Sequence, residues 1–205
     1  RLRQRFKPDE CSNRSMGLHV IAITGASGAR YGVRLIEALT SGGHDVRLIV
    51  SSTGAINLDL ECGITAEQLA EQYGCILEGN QNLAAKSASG SANIDSVVIC
   101  PASGTTTAKI AAGISDNLAT RSAIVALKEK RTLILVPREA PYATVHLENM
   151  TRISQWGGVI IPASPGFYNH PKSIEDLVDF IVARILDQLG IDNDLTVRWT
   201  GEEVE

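Results

Sequence analysis

Short apolar runs rich in Val, Ile and Leu recur along the chain. Each stops in small or hydroxylated residues before an amphipathic stretch begins. The first run, residues 20–23, ends in Thr24-Gly25-Ala26-Ser27-Gly28-Ala29, after which Val33, Leu35, Ile36 and Leu39 repeat with helical spacing. That order predicts a buried strand, a glycine-rich turn and a helix whose N-terminus meets an anion through free backbone N–H groups. Ser41-Gly42-Gly43 stops the helix, and 45–51 reads as a second strand ending in Ser51 and Ser52. Thr65 and Gln68 form a capping box that opens a short helix to about 73. Residues 74–95 carry little pattern and are expected to form a long binding loop.

The alternation resumes with a strand at 97–100 ending in Pro101-Ala102-Ser103-Gly104-Thr105-Thr106-Thr107, then an Ala-rich helix to about 112 and another over 117–130. A fourth strand, 132–136, ends at Pro137-Arg138-Glu139-Ala140-Pro141; a helix follows over about 144–155, and a fifth strand at 158–161 leads to Pro165-Gly166-Phe167-Tyr168. Ser173 and Asp176 cap a last helix that Gly190 terminates. Five strands alternating with helices predict an α/β fold: a Rossmann-like, doubly wound parallel sheet in three αβα layers. Ligands of such sheets sit outside the carboxyl ends of the strands, where these clusters converge.

A chain of 205 residues, 44% apolar and 20% charged, is expected to form one domain over 16–205 behind an N-terminal tail or extension of 1–15. No apolar run has the length of a membrane span. The net charge of −4 argues against nucleic-acid binding while leaving room for a local basic pocket. Cys11, Cys62, Cys75 and Cys100 form no C-x-x-C pair, and with four histidines there is no zinc spacing, so no metal is expected and the thiols read as those of a reduced, cytoplasmic protein.

Familiar alternatives fit poorly. A nicotinamide site wants an acidic residue after the second strand, where Ser51-Ser52 stands, and Pro171 interrupts the Tyr168–Lys172 spacing. No P-loop motif occurs, and Gly25-Ala26-Ser27-Gly28 lacks the glycine spacing of a hydrolase elbow.

The series as a whole resembles the UbiX-type flavin prenyltransferases. It comprises Thr24-Gly25-Ala26-Ser27-Gly28-Ala29 with Tyr31-Gly32, Ser51, Glu61, Ser89-Gly90-Ser91, Ile99-Cys100-Pro101 and Ala126-Leu127-Lys128-Glu129. It continues through Leu135-Val136-Pro137-Arg138-Glu139-Ala140-Pro141, His146-Leu147-Glu148-Asn149-Met150, Pro165-Gly166-Phe167-Tyr168, Val182-Ala183-Arg184-Ile185-Leu186 and Arg198-Trp199. The resemblance implies transfer of a dimethylallyl group from dimethylallyl monophosphate to N5 and C6 of reduced FMN, without metal. The prenylated FMN then serves a UbiD-type decarboxylase. It also implies a homododecamer with active sites between subunits.

By the same resemblance, Gly25, Ala26, Ser27, Ser51, Ser103, Gly104, Thr105, Thr106 and Arg138 hold FMN. Lys128, Tyr168 and Arg184 hold the donor phosphate, with Ser89, Gly90 and Arg121 beside it. Glu139 is the acid/base candidate with Ser27 as its relay, Lys128 and Glu61 complete the catalytic set, and Trp199 is a candidate to steady the allylic cation. No D-D-x-x-D magnesium motif occurs; Asp192-Asn193-Asp194 reads as a turn. The rival within the same fold is an FMN-dependent cysteine decarboxylase of the phosphopantothenoylcysteine type. Against it, Gly104-Thr105 replaces the Ala-Asn of those enzymes, and residues 52–72 lack their histidine.

Overall fold

The computed structural model describes residues 16–198; the tail 1–15, with Cys11, and Trp199 lie outside the described residues. Six parallel strands form the sheet: β1 (Leu18–Ile23), β2 (Asp45–Val50), β3 (Ile76–Gly79), β4 (Ser96–Ala102), β5 (Thr132–Pro137) and β6 (Val159–Ile160). Their spatial order is β3-β2-β1-β4-β5-β6, so the winding reverses between β1 and β4. The helices are α1 (Ala29–Ser41), α2 (Ser52–Cys62), α3 (Ala66–Tyr73), α4 (Gly104–Ala111), α5 (Leu118–Lys128), α6 (Thr144–Gln155) and α7 (Ile174–Leu189). Among the described residues no helix is long and apolar enough to cross a membrane.

The two faces of the sheet follow from its two-residue period. Ile21 and Ile23 pack with Leu35, Ile36 and Leu39 of α1 and Ile181 and Ile185 of α7. Val20 and Ala22 point the other way, into a core with Ile110 of α4, Leu118 and Ala123 of α5 and Ile153 of α6. Glycine sets the layer spacing at two points. A Cβ on Gly32 would lie 2.5 Å from the Cys100 carbonyl, and one on Gly54 would collide with the Ile23 carbonyl, so α1 and α2 press directly onto strand backbone.

Two elements depart from the sequence reading. The expected loop over 74–95 contains the edge strand β3 and two single-turn 3-10 helices, Lys86–Ala88 and Gly90–Ala92. The strand was hidden because its inward position carries a carboxylate: Glu78, buried, pairs with Arg47 of β2 at 2.7 Å. Helix α2 was hidden because its apolar residues do not share a face; Leu58 is buried whereas Ile56 and Leu60 are exposed. Both expected capping boxes form, at Thr65/Gln68 and at Ser173/Asp176.

Beneath the sheet, at the amino ends of the strands, two imidazoles meet. The Gly17 N–H donates to His44 Nδ1 at 3.1 Å, so that nitrogen carries no proton, and the Nε2–H of His19 donates to it at 3.2 Å. His19 Nδ1 then accepts from the Ser96 hydroxyl at 2.8 Å. Burial, reinforced by His44 and opposed by Asp95, lowers the His19 pKa to about 4. The folded state holds this imidazole neutral, so its contribution is complete above the unfolded pKa of about 6.5 and is lost as pH falls toward 4. Urea titrations across this window are expected to show stability falling by up to about 3 kcal/mol. His19→Gln is expected to flatten that slope.

Candidate active site

Where the winding reverses, one buried hydroxyl ties the two diverging strands together. Thr24 Oγ1 donates to the Pro101 carbonyl at 2.7 Å and accepts the Ser103 N–H at 2.9 Å, while the Thr24 N–H reaches the same carbonyl at 3.2 Å. The Ser51 N–H bonds the Ile23 carbonyl at 3.0 Å, and Arg138 Nε donates to the Ser27 carbonyl at 3.1 Å. The carboxyl ends of β1, β2, β4 and β5 therefore form one rim bearing Gly25, Ala26, Ser27, Ser51, Ser103 and Arg138. The Ser51 hydroxyl caps α2 by accepting from Gly54 N–H, and the Ser103 hydroxyl caps α4 by accepting from Thr106 N–H. Gly104, Arg138 and Glu139 share a cleft with Thr107, Tyr142, His146 and Met150. Thr105 is exposed at the mouth of α4, and Thr106 accepts from the Ser103 hydroxyl at 3.0 Å.

The chemistry of this rim, hydroxyls and helix-start backbone beside one guanidinium, fits a flavin phosphate and its polyol. A Cβ on Gly104 would stand 2.9 Å from His146 Nε2, so the glycine lets that ring pack against the start of α4. Thr107 Oγ1, in the same cleft, is a buried hydroxyl with no partner. His146 and Tyr142 went unsingled in the sequence as site residues; His146 Nδ1 accepts the Ala143 N–H at 3.1 Å and so presents Nε2–H toward Gly104.

The expected anion site at the start of α1 is filled by the chain itself. The Glu61 carboxylate accepts from the Gly28 N–H at 2.9 Å and the Ala29 N–H at 2.7 Å. These are the orphan donors of the first turn, and the negative charge sits at the positive end of the helix dipole. The geometry places Glu61 as a helix cap.

The remaining predicted residues fall into two further groups, away from this rim. Lys128, at the end of α5, pairs with Glu129 and lies beside Gly90; Arg121 Nε donates to the Ala88 carbonyl at 3.3 Å. Ser89 caps the adjoining 3-10 turn, and Arg131, unsuspected from sequence, donates to the Gly90 carbonyl at 2.6 Å. Tyr168 and Arg184 line a different cavity of about 280 Å³ with Phe180, Asp187 and Arg198. There Asp187 receives both Arg184 at 2.9 Å and Arg198 at 3.0 Å, so two guanidinium groups share one carboxylate. Tyr168 stacks edge-on against Phe180. The single chain thus does not gather Lys128 with Tyr168 and Arg184.

Among the described residues no group of three or more His, Cys, Asp or Glu is placed to hold a metal ion. Cys62, Cys75 and Cys100 are free thiols; burial pushes all three up, Cys75 to about 11, so none is poised as a thiolate.

A flavoprotein family model matches residues 9–186. The chain is 43% identical over 202 residues to the flavin prenyltransferase UbiX of Pseudomonas aeruginosa, covering 89% of this chain and 93% of that one. With the flavin prenyltransferase UbiX of Thermoplasma acidophilum it shares 48% identity over 180 residues, covering 88% and 98%. Among solved structures, AnUbiX in complex with FMN and dimethylallyl pyrophosphate superposes with a TM-score of 0.88 at 35% identity, covering 92% of this chain and 100% of that one. A dodecameric FMN-dependent UbiX-like decarboxylase from Escherichia coli O157:H7 gives 0.87 at 39% identity, covering 90% and 100%. A phosphopantothenoylcysteine decarboxylase structure, at 20% identity and a TM-score of 0.56, shares the fold.

If Glu61 caps α1, removing its carboxylate leaves two donors at the helix start unsatisfied. Glu61→Ala is expected to lower stability by about 1–2 kcal/mol in chemical denaturation, with Glu61→Gln intermediate. An unchanged midpoint for both variants would show that the carboxylate does not act as a cap.

Proposed function

The chain belongs to the UbiX-type flavin prenyltransferases, and on that premise we propose that it transfers a dimethylallyl group from dimethylallyl monophosphate to N5 and C6 of reduced FMN. The observation that carries this reading is the cavity around Arg184, where Tyr168 stands beside two guanidinium groups balanced by one carboxylate. That excess of positive charge suits a compact phosphate leaving group, which Arg engages through its planar fork.

Reduced FMN supplies the nucleophilic nitrogen and carbon when bound. The chain's own residues do the rest. Gly25, Ala26, Ser27, Ser51, Ser103, Gly104, Thr105, Thr106 and Arg138 hold the flavin at the strand ends. Arg184, Tyr168, Lys128 and Arg121, with Ser89 and Gly90, hold the phosphate and stabilise the charge that develops as the allylic C–O bond ionises. Glu139 follows Arg138 directly, and Arg138 is bonded to the Ser27 backbone, so carboxylate and hydroxyl share one rim for proton transfer. The side chains lining the donor cavity, Phe180 among them, would keep water from the allylic cation. Diphosphate-using enzymes recruit magnesium through clustered aspartates; here cationic side chains take that task.

Because Lys128 and Arg121 lie on one surface and Tyr168 and Arg184 on another, we read the donor site as completed between subunits of a homododecamer. The product, prenylated FMN, is read as leaving for a UbiD-type decarboxylase, in the cytoplasm. Cysteine decarboxylation is less well supported: residues 52–72 hold no histidine for that chemistry, and the likeness to such an enzyme extends to the fold alone.

Anaerobic incubation with reduced FMN and dimethylallyl monophosphate is expected to yield prenylated flavin by mass analysis. Unmodified FMN recovered from folded, FMN-bound protein would overturn the assignment. Glu139→Gln is expected to retain FMN and slow product formation at least tenfold, within the usual range for a lost acid/base. Subunit sharing has its own test. Lys128→Ala and Arg184→Ala, each nearly inactive alone, are expected to regain about a quarter of wild-type activity when dissociated and reassembled at equal ratio, the random share of intact sites. No recovery would place both residues in one subunit's site.

A further inference from the structure

A buried polar relay runs from the sheet edge to the turn that carries Ser89 and Gly90, and no residue of the relay belongs to the site described above. It starts at Arg47 of β2, whose Nη2 donates to Glu78 Oε1 at 2.7 Å. Both side chains are nearly enclosed, 11% and 6% exposed. Burial alone would raise the Glu78 carboxyl; hydrogen bonds from Arg47 and Ser87 outweigh it and hold the group below the usual range, ionised. The second oxygen, Oε2, accepts the hydroxyl of Ser87, a residue with no exposed surface. The Ser87 carbonyl in turn accepts the Ser122 hydroxyl of α5 at 3.0 Å.

From Ser87 onward along the chain, the next residues meet the group proposed to hold the donor phosphate. The Ala88 carbonyl accepts from Arg121, Ser89 caps the next 3-10 turn, and the Gly90 carbonyl accepts from Arg131. Gly90 sits so close to Lys128 that a Cβ there would stand 2.8 Å from the ammonium nitrogen. Two consecutive single-turn 3-10 helices have little intrinsic rigidity. Their position is set by what they are anchored to: the Glu78 carboxylate through Ser87 on the sheet side, and Ser122, Arg121 and Arg131 on the side of α5. An ionised carboxylate is a strong acceptor whose direction is fixed here by the Arg47 guanidinium.

We infer that Glu78, oriented by Arg47, is a positioning residue for prenyl-donor recognition: through the Ser87 hydroxyl it fixes the turn that presents Ser89 and Gly90 beside Arg121 and Lys128. This rests on the reading that those four residues hold the donor phosphate. None of its hydrogen bonds reaches the rim, and although Glu78 lines a cavity with Ser51, Ser87→Ala leaves Glu78 in place, so that variant is expected to keep its flavin affinity. Glu78 and Ser87 fall within the expected binding loop 74–95, but their link to Arg47 could not be read from the sequence because it spans two strands and a turn.

Ser87→Ala is the cleanest test, since it removes the link while leaving the Arg47–Glu78 pair whole and adds no volume. In the FMN-loaded assembly the variant is expected to bind dimethylallyl monophosphate about 5–10-fold more weakly by calorimetry, within the net value of one ordinary hydrogen bond. KM should rise by the same factor, with kcat within about twofold and FMN affinity unchanged. Amide exchange at residues 88–92 should quicken. Glu78→Gln, which leaves the buried Arg47 charge uncompensated, is expected to weaken donor binding at least as much as Ser87→Ala and to lower stability as well. Donor affinity and exchange unchanged in Ser87→Ala would overturn the inference. So would a parallel loss of FMN affinity, which marks general loosening. Wild-type protein that binds the donor but makes no prenylated flavin would count against the proposed reaction and leave the binding comparison to decide the relay.

Discussion

The arrangement depends on a single threonine hydroxyl. In a doubly wound sheet the two strands on either side of the reversal send their chains to opposite faces, which opens a crevice between their ends. A crevice is useful only if its walls keep their spacing, and diverging loops have no ladder to hold them. Thr24 supplies the missing tie by donating to the Pro101 carbonyl and accepting from Ser103 N–H. The capping serine of α4 is thereby placed relative to the glycine turn of β1. Valine at this position would match the volume and lose both bonds, leaving the Ser103 N–H without its partner.

Charge is distributed as deliberately as shape. The chain carries a formal net charge of −4, yet the predicted donor-binding side chains gather as two cationic surfaces separated within one protomer. Neither surface alone matches a phosphate ester with its attached reactive carbon. On the proposed division between subunits, an intact site would be conditional on assembly, and a monomer shed from the oligomer would be unable to ionise the donor. Isolated flavin-bearing subunits would therefore be chemically quiet.

Much of this was legible in the sequence. Apolar runs ending in small hydroxylated residues gave away five strands and the edge on which ligands collect, because that pattern is local. The capping boxes at Thr65 and Ser173 and the stop at Gly190 were readable for the same reason. The edge strand β3 was not, since its burial depends on a carboxylate neutralised by Arg47 from the neighbouring strand. Helix α2 carries no apolar stripe to read. The capping role of Glu61 and the separation of Lys128 from Arg184 were equally hidden. Both are facts about distance across the fold, which residue identity and spacing do not encode.

The carboxylate that seals α1 has a consequence for the life of the enzyme. A helix start that waits for a ligand's phosphate is only half-built when the ligand departs, and many cofactor-binding folds loosen on losing their cofactor. Here Glu61 stays behind as a permanent resident anion. A catalyst whose product is the flavin itself is emptied at the end of every cycle, and this one keeps its frame in that interval, ready to be refilled.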